Sequence, residues 1–142
     1  MSNIEKDLNP DVFIGVSLPL DYGGQGFFNK TRTTLQQTRS NIKNLLLTIK
    51  GERLGNPTFG SDLMTVIFEQ DDGSMPDKIR STIIDAVEFW LPYLVMNKVE
   101  VTNQLSGDDN NINRYNVSLV FSLVNQPDML ETITFTLDTT NL

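Results

Sequence analysis

The chain has no cysteine and no histidine. Without cysteine it forms no disulfide and offers no thiolate to a metal. Without histidine it lacks the commonest zinc ligand and the usual general base at neutral pH. No apolar run approaches membrane-spanning length. The opening MSNIEKDLNP has no basic start followed by an apolar stretch, which argues against a secretory leader. Carboxylates, lysine, tyrosine, serine and threonine remain for chemistry. The 142 residues, 39% hydrophobic and 20% charged, suit one globular domain with one core. The expectation is a single domain, 1–142, with residues 1–11 as a flexible arm.

Net charge is −7, unevenly spread. Residues 30–53 hold six bases (Lys30, Arg32, Arg39, Lys43, Lys50 and Arg53) against one acid, Glu52, a local +5. Residues 1–29 carry −3 and residues 54–142 carry −9. Nucleic acid is a poor partner for such a surface, and a protein with an acidic patch is a better one. The plain alternative is a solvated helix face.

Hydrophobic periodicity predicts the elements. Val12, Ile14, Val16, Leu18 and Leu20 alternate as one face of a strand, with Pro19 favouring an edge or strand end. Gly23, Gly24 and Gly26 mark a loop between Asp21 and Lys30. Leu35, Thr38, Ile42, Leu45, Leu46 and Ile49 predict a helix over 33–50, stopped by Gly51. Arg39, Lys43 and Lys50 fall on another stripe of it. A short helix is expected over 62–68, capped by Asp62, with Leu63, Val66 and Ile67 inward. Asp71-Asp72-Gly73 reads as a turn, and Ser74 to Asp77 as a capping box. The helix that follows, over 75–91, carries Ile79, Ile83, Val87 and Trp90 on one stripe and ends at Pro92.

The last third reads as three strands. Val95, Val99 and Val101 form one face; a polar turn over 106–111 follows; Tyr115, Val117, Leu119, Phe121 and Leu123 form the next face. Asn125 to Asp128 is a turn, and Ile133, Phe135 and Leu137 alternate with Thr132, Thr134 and Thr136. The fold class expected is α+β: an antiparallel sheet, made of the C-terminal three-strand meander plus the N-terminal strand, packed by two main helices.

Between the helices lies KGERLGNPTFGSDL, Lys50 to Leu63. Gly55 and Gly60 have the spacing that opens a phosphate-binding loop, but Ser61-Asp62 stand where Lys and Ser/Thr are needed, and the stretch follows a helix rather than a strand. Asp71, Asp72 and Gly73 do not continue as a calcium loop. Glu52, Asp62 and Glu69 are the nearest candidates for a hydrolytic acid pair, and acids at such positions are ordinarily caps or solvated groups. The structural reading is a rigid corner, with Gly51 ending one helix, Pro57 stiffening the chain, Phe59 pinned inward and Gly60 allowing close approach.

The same residues carry a resemblance. LLLTIKGERLGNPTFGSDLMTVIFE, Leu45 to Glu69, is similar to the signature of the baseplate wedge and sheath-initiator family of contractile phage tails, through Thr48, Gly51, Glu52, Arg53, Pro57, Phe59, Gly60, Leu63, Phe68 and Glu69. Where members often carry Glu-Pro-Arg after the second long helix, this chain has Leu91-Pro92-Tyr93. The resemblance implies a structural subunit with no enzymatic activity and no cofactor. It would sit in the tail baseplate of a virion, after synthesis in the host cytoplasm. It implies two partners, the wedge core proteins and the tail sheath protein, within a sixfold ring, with neither nucleic acid nor membrane involved. It further implies that an open sheet edge, either Val12–Leu20 or Glu131–Asp138, starts sheath assembly by strand pairing. Arg39, Lys43, Lys50, Glu52, Arg53, Leu91, Pro92 and Tyr93 are the expected partner-binding residues. A type VI secretion baseplate component and a regulatory module on the same fold are the alternatives.

Overall fold

Four apolar residues one turn apart, Met75, Ile79, Ile83 and Val87, are all fully buried and set the inner stripe of a sixteen-residue helix, Met75–Trp90. The same logic of period orders the rest of the chain. The computed structural model describes residues 5, 7, 9, 11–22, 28–69, 73–103 and 114–138, the side chain of Asp138 excepted. Within them the elements are β1 (Gly15–Val16), β2 (Lys30–Thr31), α1 (Thr34–Leu47), α2 (Leu63–Ile67), α3 (Met75–Trp90), β3 (Leu94–Asn103), β4 (Arg114–Leu123) and β5 (Gln126–Asp138). The α+β class is as expected. Most of the 1–11 arm, the glycines at 23–26, the acids at 71–72 and the turn at 106–111 lie outside the described residues.

The backbone forms two compact units, residues 1–44 and 45–142, with the boundary inside α1. In the first, β1 and β2 pair antiparallel, Gly15 opposite Thr31 and Val16 opposite Lys30. The N-terminal strand is thus two residues long and belongs to its own small sheet, not to the C-terminal one. The reason is local. The Leu18 N–H is taken by the Ser40 hydroxyl at 3.1 Å, and Pro19 has no N–H to continue a ladder. The expected alternation fails with it, since Val16 and Leu20 are exposed. At the start of α1 the Asp7 carboxylate accepts from both the N–H and the hydroxyl of Thr34, at 2.8 and 2.9 Å. That places an anion on a helix N-terminus, where the backbone donors and the dipole favour it.

The second unit holds a three-stranded antiparallel meander, in the order β3-β4-β5. Tyr115, Val117, Leu119, Phe121 and Leu123 of the central strand are all buried, and Ile133 and Leu137 of β5 join them. Helix α3 packs along β3 and against α2, whose Leu63, Met64 and Ile67 are buried. Outward from this face stand Glu100, Ser118 and Thr134 in one row and Thr102, Asn116 and Thr136 in the next. One hydrophobic and one polar face per strand is the ordinary consequence of a half-buried sheet.

Two irregularities correct the expected strand faces. In β3, Met96 pairs with Phe121 and Lys98 with Val120, so Asn97 is an extra residue. The bulge shifts the alternation by one. Leu94 and Met96 therefore share the inner face with Val99 and Val101, while Val95, expected inward, is 43% exposed. The Ser122 hydroxyl donates to the Asn97 side-chain carbonyl at 3.1 Å, which gives the bulged residue a fixed partner. Between β4 and β5 the turn is Val124-Asn125, two residues earlier than expected, with Leu123 opposite Gln126. Phe121 then pairs with Glu131, so β5 carries three extra residues over two steps of β4. Pro127 and Asp128 lie in this irregular part of the edge strand, where a missing N–H is tolerated.

The bulge makes a prediction about stability. Leu94→Ala should cost about 2–4 kcal/mol by opening the core, whereas Val95→Ala should cost under about 0.5 kcal/mol. Urea unfolding of both variants measures it, and the opposite ranking would mean a continuous, unbulged register.

Candidate functional site

The corner between α1 and α2 is built by Gly60 and Ser61. The Ser61 N–H donates to the Thr48 carbonyl at 2.9 Å, and its buried hydroxyl donates to the Leu46 carbonyl, also at 2.9 Å. The same hydroxyl accepts from the Leu63 N–H at 3.3 Å. One serine side chain therefore satisfies a carbonyl at the end of one helix and a donor at the start of the next, the groups that helix ends leave without partners. Ile49 pairs with Ser61 in a parallel bridge. This capture ends α1 at Leu47, three residues earlier than expected. Gly51 is accordingly not the helix stop. It sits in the loop at φ 98°, its N–H bonded to the Pro57 carbonyl at 2.8 Å. Ile49, expected on the buried stripe, lies past the helix and reaches the surface.

Gly60 is required by space as well as by its φ of 129°. A Cβ there would lie 2.5 Å from the Thr48 carbonyl oxygen and 3.1 Å from the Ile49 carbonyl carbon and the Lys50 nitrogen, all backbone atoms that cannot step aside. Asp62 occupies the N-cap position of α2 without a side-chain cap bond; its carboxylate is ion-paired with Lys50 instead. Ser74 likewise makes no side-chain cap bond on α3. Its carbonyl accepts from the Asp77 and Lys78 N–H groups at 3.1 Å, and Asp77 meets Arg80 at 3.5 Å.

An aromatic ladder runs from the corner to the end of α3. The Arg53 guanidinium lies 4.5 Å over the Phe59 ring. Phe59 meets Trp90 edge to face at 5.1 Å, and Trp90 meets Phe89 at 5.1 Å and 83°. Trp90 is thus partly exposed rather than a core residue, and Phe89 is 75% exposed. Beside the ladder lies a groove of about 360 Å³ between the corner and the outer face of α3. Its corner wall includes Lys50, Gly60 and Asp62; its helix wall includes Thr82, Asp85 and Phe89.

The expected partner-binding residues separate in space and role. Arg39 and Lys43 stand one turn apart on α1, in a helix that contains no acid. Lys50 is beyond the helix and held by Asp62, so the three do not form one helical stripe. The Glu52 carboxylate accepts from the Ile49 N–H at 3.3 Å, and Arg53 lies on Phe59; both charges of the Glu-Arg pair make contacts within their own loop. Leu91 is buried and ends α3, its N–H bonded to the Val87 carbonyl at 2.8 Å, while Pro92 is exposed. Tyr93 is 38% exposed, and its carbonyl accepts from the Val124 N–H at 3.0 Å. Phe68, the C-cap of α2, is exposed, and Glu69 meets Lys78 at 3.4 Å. Each acid considered for hydrolysis is therefore engaged locally, and among the described residues no group of three or more acids could hold a metal. Among them, too, no helix is long and apolar enough to cross a membrane.

Residues 32–128, most of the chain, match the family of the baseplate wedge protein gp25. The chain belongs to that family. Three solved structures share its fold at low sequence identity. A Geobacter sulfurreducens protein described as a tail lysozyme has a TM-score of 0.65 at 15% identity, over 75% of this chain and 92% of that one. A chain of the anti-feeding prophage baseplate has 0.53 at 14%, over 85% and 81%. A chain of the type VI secretion baseplate complex has 0.51 at 15%, over 75% and 94%. No curated protein sequence matches the chain. In this gp25-family chain the corner signature is a joint, with Gly60 and Ser61 holding two helices together and Phe59 set against Trp90 of the third.

The groove residues of α3 were not singled out from sequence. The available signal was Phe89, a large aromatic off the Met75–Val87 stripe with an acid one turn before it.

Glycine substitutions test the joint. Gly60→Ala should destabilise the protein by about 2–4 kcal/mol, through φ strain plus collision with backbone. Gly55→Ala, at φ 89° with open space around it, should cost only about 1 kcal/mol. Equal losses in denaturant titration would show that close approach to α1 is not what Gly60 supplies.

Proposed function

We propose that this chain is a structural subunit of a contractile-tail baseplate, joining the wedge core to the first ring of tail sheath. It starts sheath assembly by strand addition. Family membership supports the baseplate role, and the edge position of β5 is the observation that carries the finer reading. β5 ends the β3-β4-β5 sheet, and from Glu131 to Asp138 its register with β4 is regular. An extended arm from a sheath subunit would find there a row of outward backbone donors and acceptors, with Thr132, Thr134 and Thr136 exposed beside it. In a free monomer such an edge is a liability; in an assembly it is a template.

Arg39 and Lys43 on α1, and the exposed Pro92 and Tyr93 of the Leu91-Pro92-Tyr93 turn, are the proposed contacts to the wedge core. The turn would make an apolar and aromatic contact, since it carries no charge. Six copies would act together in the assembled ring, at the tail baseplate of a virion, with the chain made in the host cytoplasm. The anti-feeding prophage and type VI baseplate chains share the fold, so the same reading extends to a related injection machine. The role is structural, and the lysozyme description belongs to the Geobacter protein.

Site-specific photo-crosslinking in cells assembling the particle tests this reading. A benzophenone side chain at Thr134 should yield an adduct with the sheath protein, and one at Thr102 on β3 should not. Sheath adducts only from position 102 would move the joint to the other edge. Adducts confined to wedge proteins at both positions would end the sheath-pairing reading.

A further inference from the structure

The two ends of the aromatic ladder are unlike. At one end the Phe59 ring is covered by the Arg53 guanidinium at 4.5 Å. At the other end Phe89 is three-quarters exposed and borders the 360 Å³ groove. Asp85 lies one turn before Phe89 on α3, so the carboxylate and the ring share one face of the helix. Across the groove the Asp62 carboxylate is already matched by Lys50, within the corner itself. The groove thus offers an aromatic face and a carboxylate, with no base on its helix wall. By sequence, residues 54–142 carry a net −9, which draws cations toward this part of the chain.

We propose that this groove is a binding site for an arginine side chain of a partner protein. The guanidinium would stack on the exposed Phe89 ring, which Trp90 meets edge to face, and bond in bidentate fashion to Asp85. The covered end of the ladder is its internal template, because Arg53 already makes the stacking half of that contact. The chemistry favours arginine over lysine. A guanidinium is planar, weakly hydrated and forked, so it satisfies ring and carboxylate at once, whereas an ammonium is a compact, strongly hydrated point charge. A neutral isostere would keep the shape and lose the charge that both groups read. The site is inferred from this chain's own geometry and is separate from the β5 edge, so its failure leaves the strand-addition reading standing, and the converse also holds.

Trp90 is the protein's one tryptophan, so its fluorescence reports the groove directly. The experiment titrates the full chain at low salt with acetyl-Gly-Arg-Gly-amide, and with the lysine and citrulline counterparts. The arginine peptide should shift Trp90 emission saturably, with binding at least about tenfold tighter than citrulline and measurably tighter than lysine. Asp85→Asn should weaken the arginine response by about tenfold, while Glu88→Gln, an exposed acid on α3 outside the groove lining, should leave it unchanged. Far-ultraviolet circular dichroism confirms that each variant is folded. Equal affinity for arginine and citrulline, or an Asp85→Asn response equal to the unmodified protein's, would overturn the proposal. So would equal losses from Asp85→Asn and Glu88→Gln, which would reduce the effect to general attraction by an acidic surface.

Discussion

The approach of Gly60 and Ser61 to the end of α1 is the contact on which the corner depends. A helix end leaves carbonyls without partners, and a helix start leaves N–H groups. Here the Ser61 hydroxyl meets both demands, reaching back fifteen positions to the Leu46 carbonyl and forward two to the Leu63 N–H. Glycine removes the Cβ that would strike the Thr48 carbonyl, and the serine hydroxyl then reaches Leu46 and Leu63 together. The loop between needs no core of its own. It folds on itself through short local bonds, Asn56 N–H to the Arg53 carbonyl and Phe59 N–H to the Asn56 carbonyl, each near 3.1–3.2 Å. A charged, glycine-rich stretch that looks like a chemical site is thereby explained as a joint.

Where burial was one-sided and uninterrupted, the sequence was legible. On the α3 stripe Ile79, Ile83 and Val87 are buried as expected and only Trp90, at the helix end, is not; on the β4 face each apolar residue at the expected period is buried. Legibility failed where a single contact broke the period. Ser61 ended α1 early, and nothing within the helix sequence marks that stop. Asn97 shifted the β3 face by one residue, because a bulge adds a residue without changing composition. The N-terminal alternation over 12–20 promised a long strand, yet a hydroxyl from α1 took the N–H that a ladder needed. Each of these is a tertiary effect on a local pattern.

The site shows the same limit. Of the signature residues, Gly60 sits at the α1–α2 contact, whereas Gly51 lies in the loop and Phe68 is exposed at the end of α2; the charged residues expected to act together did not stay together. Lys50 is drawn to Asp62, Arg53 to Phe59 and Glu52 to the Ile49 amide. Charge counted along a sequence says nothing about which partner a flexible side chain will find in its own loop. The groove, in turn, joins Asp85 and Phe89 to corner residues that run from Lys50 to Asp62, a pairing that no linear spacing encodes.

The two irregularities of the sheet lie at the same end, beside the α3–β3 junction. They leave β5 regular only from Glu131 onward, and this sets a ruler. A visiting strand laid along Glu131–Leu137 would run about 23 Å, at roughly 3.3 Å per residue. Only alternate residues of an edge turn their backbone groups outward, so such a joint would have on the order of seven hydrogen bonds. At roughly 0.5–1.5 kcal/mol net for each, one such seam would be a fastener of modest strength, closed or opened without unfolding the subunit. In the proposed ring, lasting attachment would then come from copy number: several short seams would hold together what any one of them alone would release.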